Sequence, residues 1–208
     1  MTCRTRRIAR QQVALPTLRA MVTDYRRRHS AVAEQELAFF ANQPSLSATL
    51  RQAAKAIDHR GKRYSHQCRI SAAPMDLAHQ RMTALSGRLL GCADFKALHG
   101  LLEAAPKPIS GLGPLYIYDT AFRIGAYLKR LPTEVYLHAG TRAGARALGH
   151  SGATLSPSAL PAQLRALAPH EIENFLCIYA KDLQRLRAGT PPIPRLRFAR
   201  LSSNALRW

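Results

Sequence analysis

ISGLGPLYIYDTAFRIGAYLKRLPTEVYLHAGTRAGARALG, residues 109–149, contains two glycine-marked turns, each followed by a helical pattern. In the first turn, Gly111 and Gly113 stand directly before Pro114. Proline suits the first position of a helix, because the N–H that it lacks would be unpaired there. Glycines permit tight turning, and the free N–H groups of a helix start can bind an anion. The segment therefore predicts either a phosphate-binding turn or a loop that only begins a helix.

The helix predicted after Pro114 has one buried face, because apolar residues recur along it at helical spacing. They are Ile117, Ala121, Ile124 and Leu128. Asp119 lies off this face, with Arg123 four residues later. That spacing indicates either an ion pair on the helix surface or an acid beside a bound nucleic-acid backbone. The second turn, at Gly140, precedes a helix of small residues and offers its N–H groups and Arg142 to a phosphate.

The charge balance of the chain is strongly positive. Its 208 residues include 31 Lys and Arg against 12 Asp and Glu, which gives a formal net charge of +19. Self-repulsion of that size disfavours the compact state, and the cations are mostly arginine, which suits bidentate phosphate contacts. Nucleic acid is therefore the predicted partner. A membrane surface, an acidic protein and a merely basic surface are the alternatives.

Targeting and redox features predict a cytoplasmic protein. No apolar run approaches the roughly 18 residues of a membrane span, and the basic start MTCRTRRIARQQ lacks the apolar stretch of a secretory signal. An Arg- and Ser-rich transit peptide is the alternative. The four cysteines are scattered without a CxxC pair, which argues against a zinc ribbon or a disulfide framework. We expect no metal, no cofactor and no membrane contact.

Apolar periodicity predicts an all-α fold of many helices, since the alternation typical of strands is nowhere sustained. Helical patterns before the quoted segment cover residues 8–28, 31–41, 46–57, 76–90 and 95–102. We expect one domain over residues 1–188, whose helices can form two lobes, residues 1–57 with 150–188 and residues 58–149. Residues 189–208, proline-broken and basic, are predicted to form an arm across the body or along DNA.

Several helix starts carry recognisable capping residues. Side chains predicted to accept from the first helical turn are Ser45 or Ser47, and Asp94. Pro169 opens a later helix whose first turn holds Glu171 and Glu173, and acids in that position suit the helix dipole. As a close pair of carboxylates, these two also keep Glu173 in reserve as a catalytic candidate.

The connector 58–70 combines cations, a tyrosine and two histidines between two helical patterns. Its predicted phosphate contacts are Lys62, Arg63, His66 and Arg69. Tyr64 is expected to stack on a base, and His66 could also move a proton. The alternative is a solvated loop that carries unrelated charges.

Residues Ile109 to about Arg142 resemble the helix-hairpin-helix element of the DNA glycosylase superfamily. The family hairpin has the pattern Leu/Ile-x-Gly-Val/Ile/Leu-Gly, which is matched here by Ile109-Ser110-Gly111-Leu112-Gly113. The resemblance implies that the hairpin glycines donate N–H groups to a DNA phosphate. It also implies an acidic residue further along the chain, beside the flipped base.

Two positions depart from that family pattern. The place of the family's catalytic aspartate falls on Tyr136, two residues before His138, so the nearest carboxylates are Glu134 and Asp119. The hairpin lysine of bifunctional members falls near Leu115. Without an amine there, we predict no strand cleavage through a Schiff base at that position.

The residues around the two turns and the connector form the predicted site. The catalytic candidates are Asp119, then Glu134, with His138 and Tyr136 beside them. The base pocket is expected to include Tyr64, Tyr116 and Tyr118. The predicted DNA contacts are Gly111, Gly113, Lys62, Arg63, His66, Arg69, Gly140 and Arg142. Ordinary packing is the alternative for the tyrosines, and a hydrogen-bonded core histidine is the alternative for His138.

The sequence thus predicts a monofunctional DNA glycosylase. Such an enzyme flips a modified or damaged base out of duplex DNA, hydrolyses its N-glycosidic bond and leaves an abasic site. Activity on modified phage DNA would make it an antiviral defence enzyme. One alternative is a non-catalytic helix-hairpin-helix protein that binds DNA or RNA, and another is a basic nuclease-like protein that acts on RNA. We expect a monomer.

Overall fold

The computed structural model describes residues 17–104 and 109–189. Over these residues the predicted all-α class is confirmed, with a small two-stranded sheet beside the helices. The helices are α1 (Leu18–Tyr25), α2 (Ala31–Ala41), α3 (Leu46–Ala54), α4 (Ala72–Ala84), α5 (Ser86–Leu90), α6 (Phe95–Ala104), α7 (Pro114–Leu128), α8 (Ala139–Ala147), α9 (Pro169–Ile178) and α10 (Ala180–Arg187). The strands are β1 (Val135–Tyr136) and β2 (Thr154–Leu155). The predicted arm beyond Gly189 lies outside the described residues, as does the predicted helical segment before residue 17.

Capping chemistry sets several helix starts as the sequence indicates. The Ser45 hydroxyl accepts from the N–H of Ala48 at 3.1 Å, and the Asp94 carboxylate accepts from the N–H of Ala97 at 2.8 Å. These bonds satisfy amides that have no partner inside the helix. Pro169 opens α9 as predicted, and Glu171 accepts from the N–H of Ala168 at 3.1 Å.

The first glycine turn joins the α6 side of the chain to α7. Gly111 has a φ of +88°, a left-handed conformation that favours glycine, and Gly113 stands before Pro114 with extended backbone. Both glycines are exposed. At the other end, α7 stops at Lys129, whose φ is +58°. The identity of this turn as a helix-hairpin-helix element stays a prediction.

A continuous helical rod runs from Leu18 to Ala41. Between α1 and α2, residues Arg26–Ser30 form a π-helical turn, a widened turn that commonly interrupts α-helices. Asp24, near the end of α1, accepts hydrogen bonds from Arg28 at 2.7 Å and from the Tyr179 hydroxyl at 2.9 Å. The second bond attaches the rod to the junction of α9 and α10.

The buried apolar side chains form two clusters, called here the first core and the second core. The first core draws on α2 to α7 and includes Phe40, Leu50, Met75, Met82, Leu98 and Ile124. The second core draws on α1, β1 and α8 to α10 and includes Met21, Tyr25, Val135, Ile172, Phe175 and Leu183. This division differs from the expected lobes. Helix α3 packs on α7 and so joins the first core, whereas β1 and α8 pack on α9 and join the second.

Two glycines let α8 approach α9 closely. A Cβ atom on Gly144 would lie 2.2 Å from the carbonyl oxygen of Leu176, and one on Gly140 would lie 2.6 Å from Sγ of Cys177. Gly140 therefore does not form a separate turn, as the sequence suggested, but lies inside the first turn of α8, where it makes room for α9. Its predicted phosphate contact stays a prediction.

The small sheet fixes the chain just before α8. Strands β1 and β2 are antiparallel, with Val135 opposite Leu155 and Tyr136 opposite Thr154. The N–H of Leu137 continues the pairing by donating to the carbonyl of Ala153 at 2.8 Å. Within residues 17–104 and 109–189, no helix combines the length and the hydropathy needed to cross a membrane.

Candidate active site

A pocket of about 450 Å³ opens between the two cores. One wall comes from α6 and the start of α7, and the other comes from β1, β2 and the beginning of α8. The lining residues are Lys96, His99, Gly100, Glu103, Pro114, Tyr118, Glu134, Tyr136, Leu137, His138, Arg142, Ala153 and Thr154. A concave site with apolar walls and a few convergent polar groups is typical of ligand binding.

The pocket brings together five residues predicted from the sequence. Tyr118, Glu134, Tyr136, His138 and Arg142 all line it. They come from the start of α7 and from the segment 134–142, which runs through β1 into α8, so these two segments meet at one place. Pro114, which begins α7, also lies at its edge.

Three polar lining residues were missed by sequence reasoning. Lys96, His99 and Glu103 all lie on α6, which was interpreted only through its apolar face. Their spacing places them on one side of the helix, next to the stripe that faces the first core. A polar stripe beside a predicted site was therefore the signal that could have found them.

Aromatic rings form much of the pocket wall. The ring of Tyr136 lies 4.7 Å from that of His99 and 5.6 Å from that of Tyr118, between ring centroids. Burial raises the pKa of Tyr118 well above its ordinary value, and the nearby Glu173 raises it further. Within the described residues the Tyr118 hydroxyl has no hydrogen-bond partner. This hydroxyl is itself buried, so it is an unsatisfied polar group inside the pocket wall.

His138 is backed by a buried carboxylate. Its Nε2 lies 2.6 Å from Oε1 of Glu173, close enough for an ion pair, although the alignment falls short of a full hydrogen bond. Glu173 and His138 are only 5% and 6% exposed. Burial raises the pKa of Glu173, and His138 opposes that rise by stabilising the carboxylate. A histidine beside a buried carboxylate is also the arrangement found in acid–base dyads of enzymes.

The local fold holds this pair in place. His138 is the residue before α8, where its N–H donates to the Thr141 hydroxyl at 2.8 Å. Glu173 lies on α9, which the glycines of α8 allow to pack close by. The sequence assigned Glu173 to the helix dipole and kept it only in reserve. Glu171 is the residue that caps α9, and Glu173 turns inward to His138.

Asp119 does not line the pocket. Its Oδ2 accepts from Nε2 of His66 and from Nε2 of Gln67, each at 2.8 Å. Its side chain is 16% exposed. The carboxylate therefore joins α7 to the connector 58–70, and it is separate from the lining carboxylates Glu103 and Glu134.

Arg123 completes the same polar network. Arg123 is 1% exposed, and its guanidinium lies 4.1 Å above the ring of Tyr64. It donates hydrogen bonds through Nε to Glu36 at 3.0 Å and through Nη1 to Gln67 at 2.9 Å. The sequence predicted either an ion pair between Asp119 and Arg123 or an acid beside a bound nucleic-acid backbone. In the structure the two side chains bond to separate partners and not to each other. Tyr64 stacks on a guanidinium here and lies away from the pocket lining.

Several predicted residues have structural contacts elsewhere. The Tyr116 hydroxyl donates to the carbonyl of Ala54 at 2.7 Å within the first core, where burial raises its pKa to about 12. Arg63 donates to the carbonyl of Ile70 at 2.8 Å. Lys62 and Arg69, on the same connector, do not line the pocket. The connector and the pocket are therefore two separate parts of the predicted site.

In the part of the chain that the structure describes, no group of three or more His, Cys, Asp and Glu side chains is arranged to hold a metal ion. Comparison of the chain with protein families, with curated proteins and with solved structures finds no match. Its chemistry has to be inferred from the pocket itself.

Proposed function

We propose that the chain is a monofunctional DNA glycosylase that accepts a modified or damaged base, flipped out of duplex DNA, in the pocket between the two cores. The observation that carries this proposal is the joint position of His138, backed by Glu173, and Glu134 in one aromatic-walled pocket beside the α7 turn. Base removal needs a binding pocket, a proton donor and a carboxylate.

The pocket suits a single base. Its volume of about 450 Å³ lies in the lower part of the range for small-molecule sites, roughly 300–1,000 Å³. Tyr118, Tyr136 and His99 offer ring faces and edges for stacking. Burial lowers the pKa of His99, so at neutral pH it is an uncharged partner with one donor and one acceptor nitrogen.

His138 supplies the proton in the proposed reaction. As the bond between C1′ of the sugar and the base nitrogen breaks, its electron pair stays with the base, which receives a proton from the His138 ring. Glu173 lies 2.6 Å from Nε2 and holds the ring in position, so it acts as a positioning residue. General acid–base assistance of this kind contributes about 10²–10⁴-fold to rate.

Glu134 is the proposed carboxylate on the sugar side. It is exposed at the pocket rim, where it stabilises the oxocarbenium-like sugar and accepts a proton from the attacking water. Asp119, the first candidate from the sequence, is second here because His66 and Gln67 already occupy its Oδ2. The expected product is an abasic site with an intact strand, since Leu115 stands where bifunctional relatives of the resembled family have lysine.

A non-catalytic DNA- or RNA-binding protein is the second candidate. Tyr136 in place of the family aspartate favours it, as does the engagement of Asp119 in a structural network. In that case the pocket and the net charge of +19 would bind nucleic acid without chemistry. We further propose a cytoplasmic monomer, and modified phage DNA as the substrate that would make this a defence enzyme.

Base release from a panel of duplex DNAs, normal, damaged and phage-modified, tests the proposal. Strand breaks should appear only after alkali, and they should fall at least about 100-fold in His138→Gln and in Glu134→Gln. Glu34→Gln, at an exposed position on α2, removes the same charge and should retain activity.

Three results would change the assignment. A larger loss in Asp119→Asn than in Glu134→Gln would restore Asp119 as the acid. Breaks without alkali, trapped by borohydride, would contradict monofunctional chemistry and direct attention to Lys96, the amine in the pocket lining. Tight binding with no base release from any duplex would leave the binding protein.

A further inference from the structure

A second, smaller recess adjoins the pocket on the α8 side. Its volume is about 250 Å³, and it is lined by Leu137, Arg142, Arg146, His150, Ser151 and Gly152. Leu137 and Arg142 line the base pocket as well, so the two cavities share a wall. Of the six lining residues, two are arginines and one is histidine, and none is acidic.

The two arginines of this recess lie on one face of α8, and His150 follows the end of the helix. Arg142 and Arg146 are four residues apart, the spacing that places helix side chains side by side, whereas His150 comes after the turn at Gly149. His150 is held beyond the helix end because its N–H donates to the carbonyl of Ala145 at 2.9 Å. Like charges at this spacing repel one another unless an anion lies between them.

Two backbone contacts fix the surroundings of the recess. Nε of Arg142 donates to the carbonyl of Leu137 at 2.9 Å, which leaves its two terminal nitrogens for a ligand. Nη1 of Arg187, from α10, donates to the carbonyl of Arg146 at 2.7 Å and so ties α10 to the end of α8. Gly149 and Gly152 have φ values of +88° and +125°, and they let the loop 149–152 turn tightly beside α8.

Among the described residues, these charges are not neutralised by ion pairs. Within residues 17–104 and 109–189, no carboxylate lies within ion-pair distance of Arg142, Arg146 or Arg187. On the same helix as Arg187, by contrast, Arg185 pairs with Asp182 at 3.5 Å. The recess therefore concentrates positive charge that no carboxylate of the described residues offsets.

We propose that this recess binds a backbone phosphate of nucleic acid, next to the nucleotide whose base enters the pocket. This inference rests on the nucleic-acid half of the proposed function. Arg142 lies between the two cavities and contacts the phosphate from one side, while Arg146 and His150 contact it from the other. A phosphate held there fixes the sugar of the flipped nucleotide near His138 and Glu134.

Fluorescence anisotropy with the full chain tests this site. The probe is a labelled duplex that contains a non-hydrolysable abasic analogue, titrated at several salt concentrations. Arg146→Gln should weaken binding to the same degree for any sequence and reduce the slope of log K against log salt by about 1. Arg146→Lys should keep most of that slope. Arg165→Gln, an exposed arginine outside both cavities, is the matched control and should leave the slope unchanged.

Inorganic phosphate serves as the second probe. Millimolar phosphate should compete with the duplex more weakly in Arg146→Gln than in the unmodified protein. The inference is overturned if Arg146→Gln and Arg165→Gln give the same slope. It is also overturned if inorganic phosphate binds through Arg146 while the duplex slope does not change, because the recess would then serve a free anion.

The two proposals fail in different ways. A slope change specific to Arg146, with no base release from any substrate, would retain the phosphate site and remove the glycosylase. Base release that needs His138, with Arg146→Gln indistinguishable from its control, would retain the glycosylase and remove the phosphate site.

Discussion

Replacing Gly144 by alanine tests how closely α8 has to approach α9. A Cβ atom at this position would lie 2.2 Å from the carbonyl oxygen of Leu176 and 2.9 Å from its carbonyl carbon. An ordinary contact begins at 3.4 Å, so the two helices have to separate by about 1.2 Å. Neither atom belongs to a flexible side chain that could turn away.

The expected loss of stability follows from that geometry. Overpacking a buried contact costs about 1–3 kcal/mol when neighbours can adjust. Here backbone has to move, which places the change at the upper end, about 3 kcal/mol. For a protein of this size, each kcal/mol lowers Tm by about 2–4 °C, so a fall of roughly 6–12 °C is expected. The same movement separates His138, directly before α8, from Glu173 on α9.

Thermal unfolding and base release together check this prediction. Gly87→Ala, on α5, is the control, because a Cβ there meets no atom within 4 Å and alanine favours a helix by up to about 1 kcal/mol. Gly144→Ala should lower Tm and reduce base release even at temperatures where it is fully folded. An unchanged Tm would refute the close packing, and full activity in a destabilised variant would refute the need for the His138–Glu173 contact.

Three further predictions concern pH, backbone conformation and the polar network of α7. Burial lowers the pKa of His99 and His170 below 6.5, so the unfolded chain binds more protons than the folded chain as pH falls through that value. The free energy of unfolding should therefore decrease over that pH range. Urea titrations of the double glutamine variant should show a weaker pH dependence, and an equal pH dependence would contradict the burial. Gly111→Ala should destabilise the protein by about 1–2 kcal/mol because its φ is +88°, whereas Gly113→Ala, with a φ of −91°, should not. Equal free energies of unfolding for the two variants in chemical denaturation would show that the left-handed backbone at Gly111 is not the cause. Arg123→Met leaves the partly buried carboxylate of Glu36 without its partner and should lower the free energy of unfolding by about 3 kcal/mol in the same assay. An unchanged free energy of unfolding would show that this polar network adds no stability.

Local features of the fold could be predicted from the sequence, because they depend on near neighbours along the chain. Helix α2 spans residues 31–41 as its pattern indicated, and Ser45 and Asp94 cap the helices that follow them. Pro169 begins α9. Each of these depends on contacts within one or two helical turns, which periodicity and capping residues express directly.

The candidate site could be predicted only in part. Tyr118, Glu134, Tyr136 and His138 meet because the start of α7 lies beside the segment that leads through β1 to α8, and the sequence singled out both segments through their glycines. The contact between His138 and Glu173 joins residues far apart in sequence, which no local pattern encodes.

Contacts between distant residues also explain why the predictions for Asp119 and Gly140 differ from the structure. Asp119 lies 53 residues from His66, so a spacing of four made Arg123 look like its natural partner. Gly140 suggested a turn because glycine often marks one, whereas its actual reason is space for Cys177 on another helix. In both cases a tertiary contact decided what a local pattern had left open.

The rod from Leu18 to Ala41 has a consequence for how the protein melts. Tyr25 on its first part belongs to the second core, and Phe40 on its last part belongs to the first. If one core unfolded alone, half of the rod would lose its packing, and a helix as short as α1 is marginal by itself in water. The two cores should therefore unfold together, in one calorimetric transition whose van't Hoff and measured enthalpies agree.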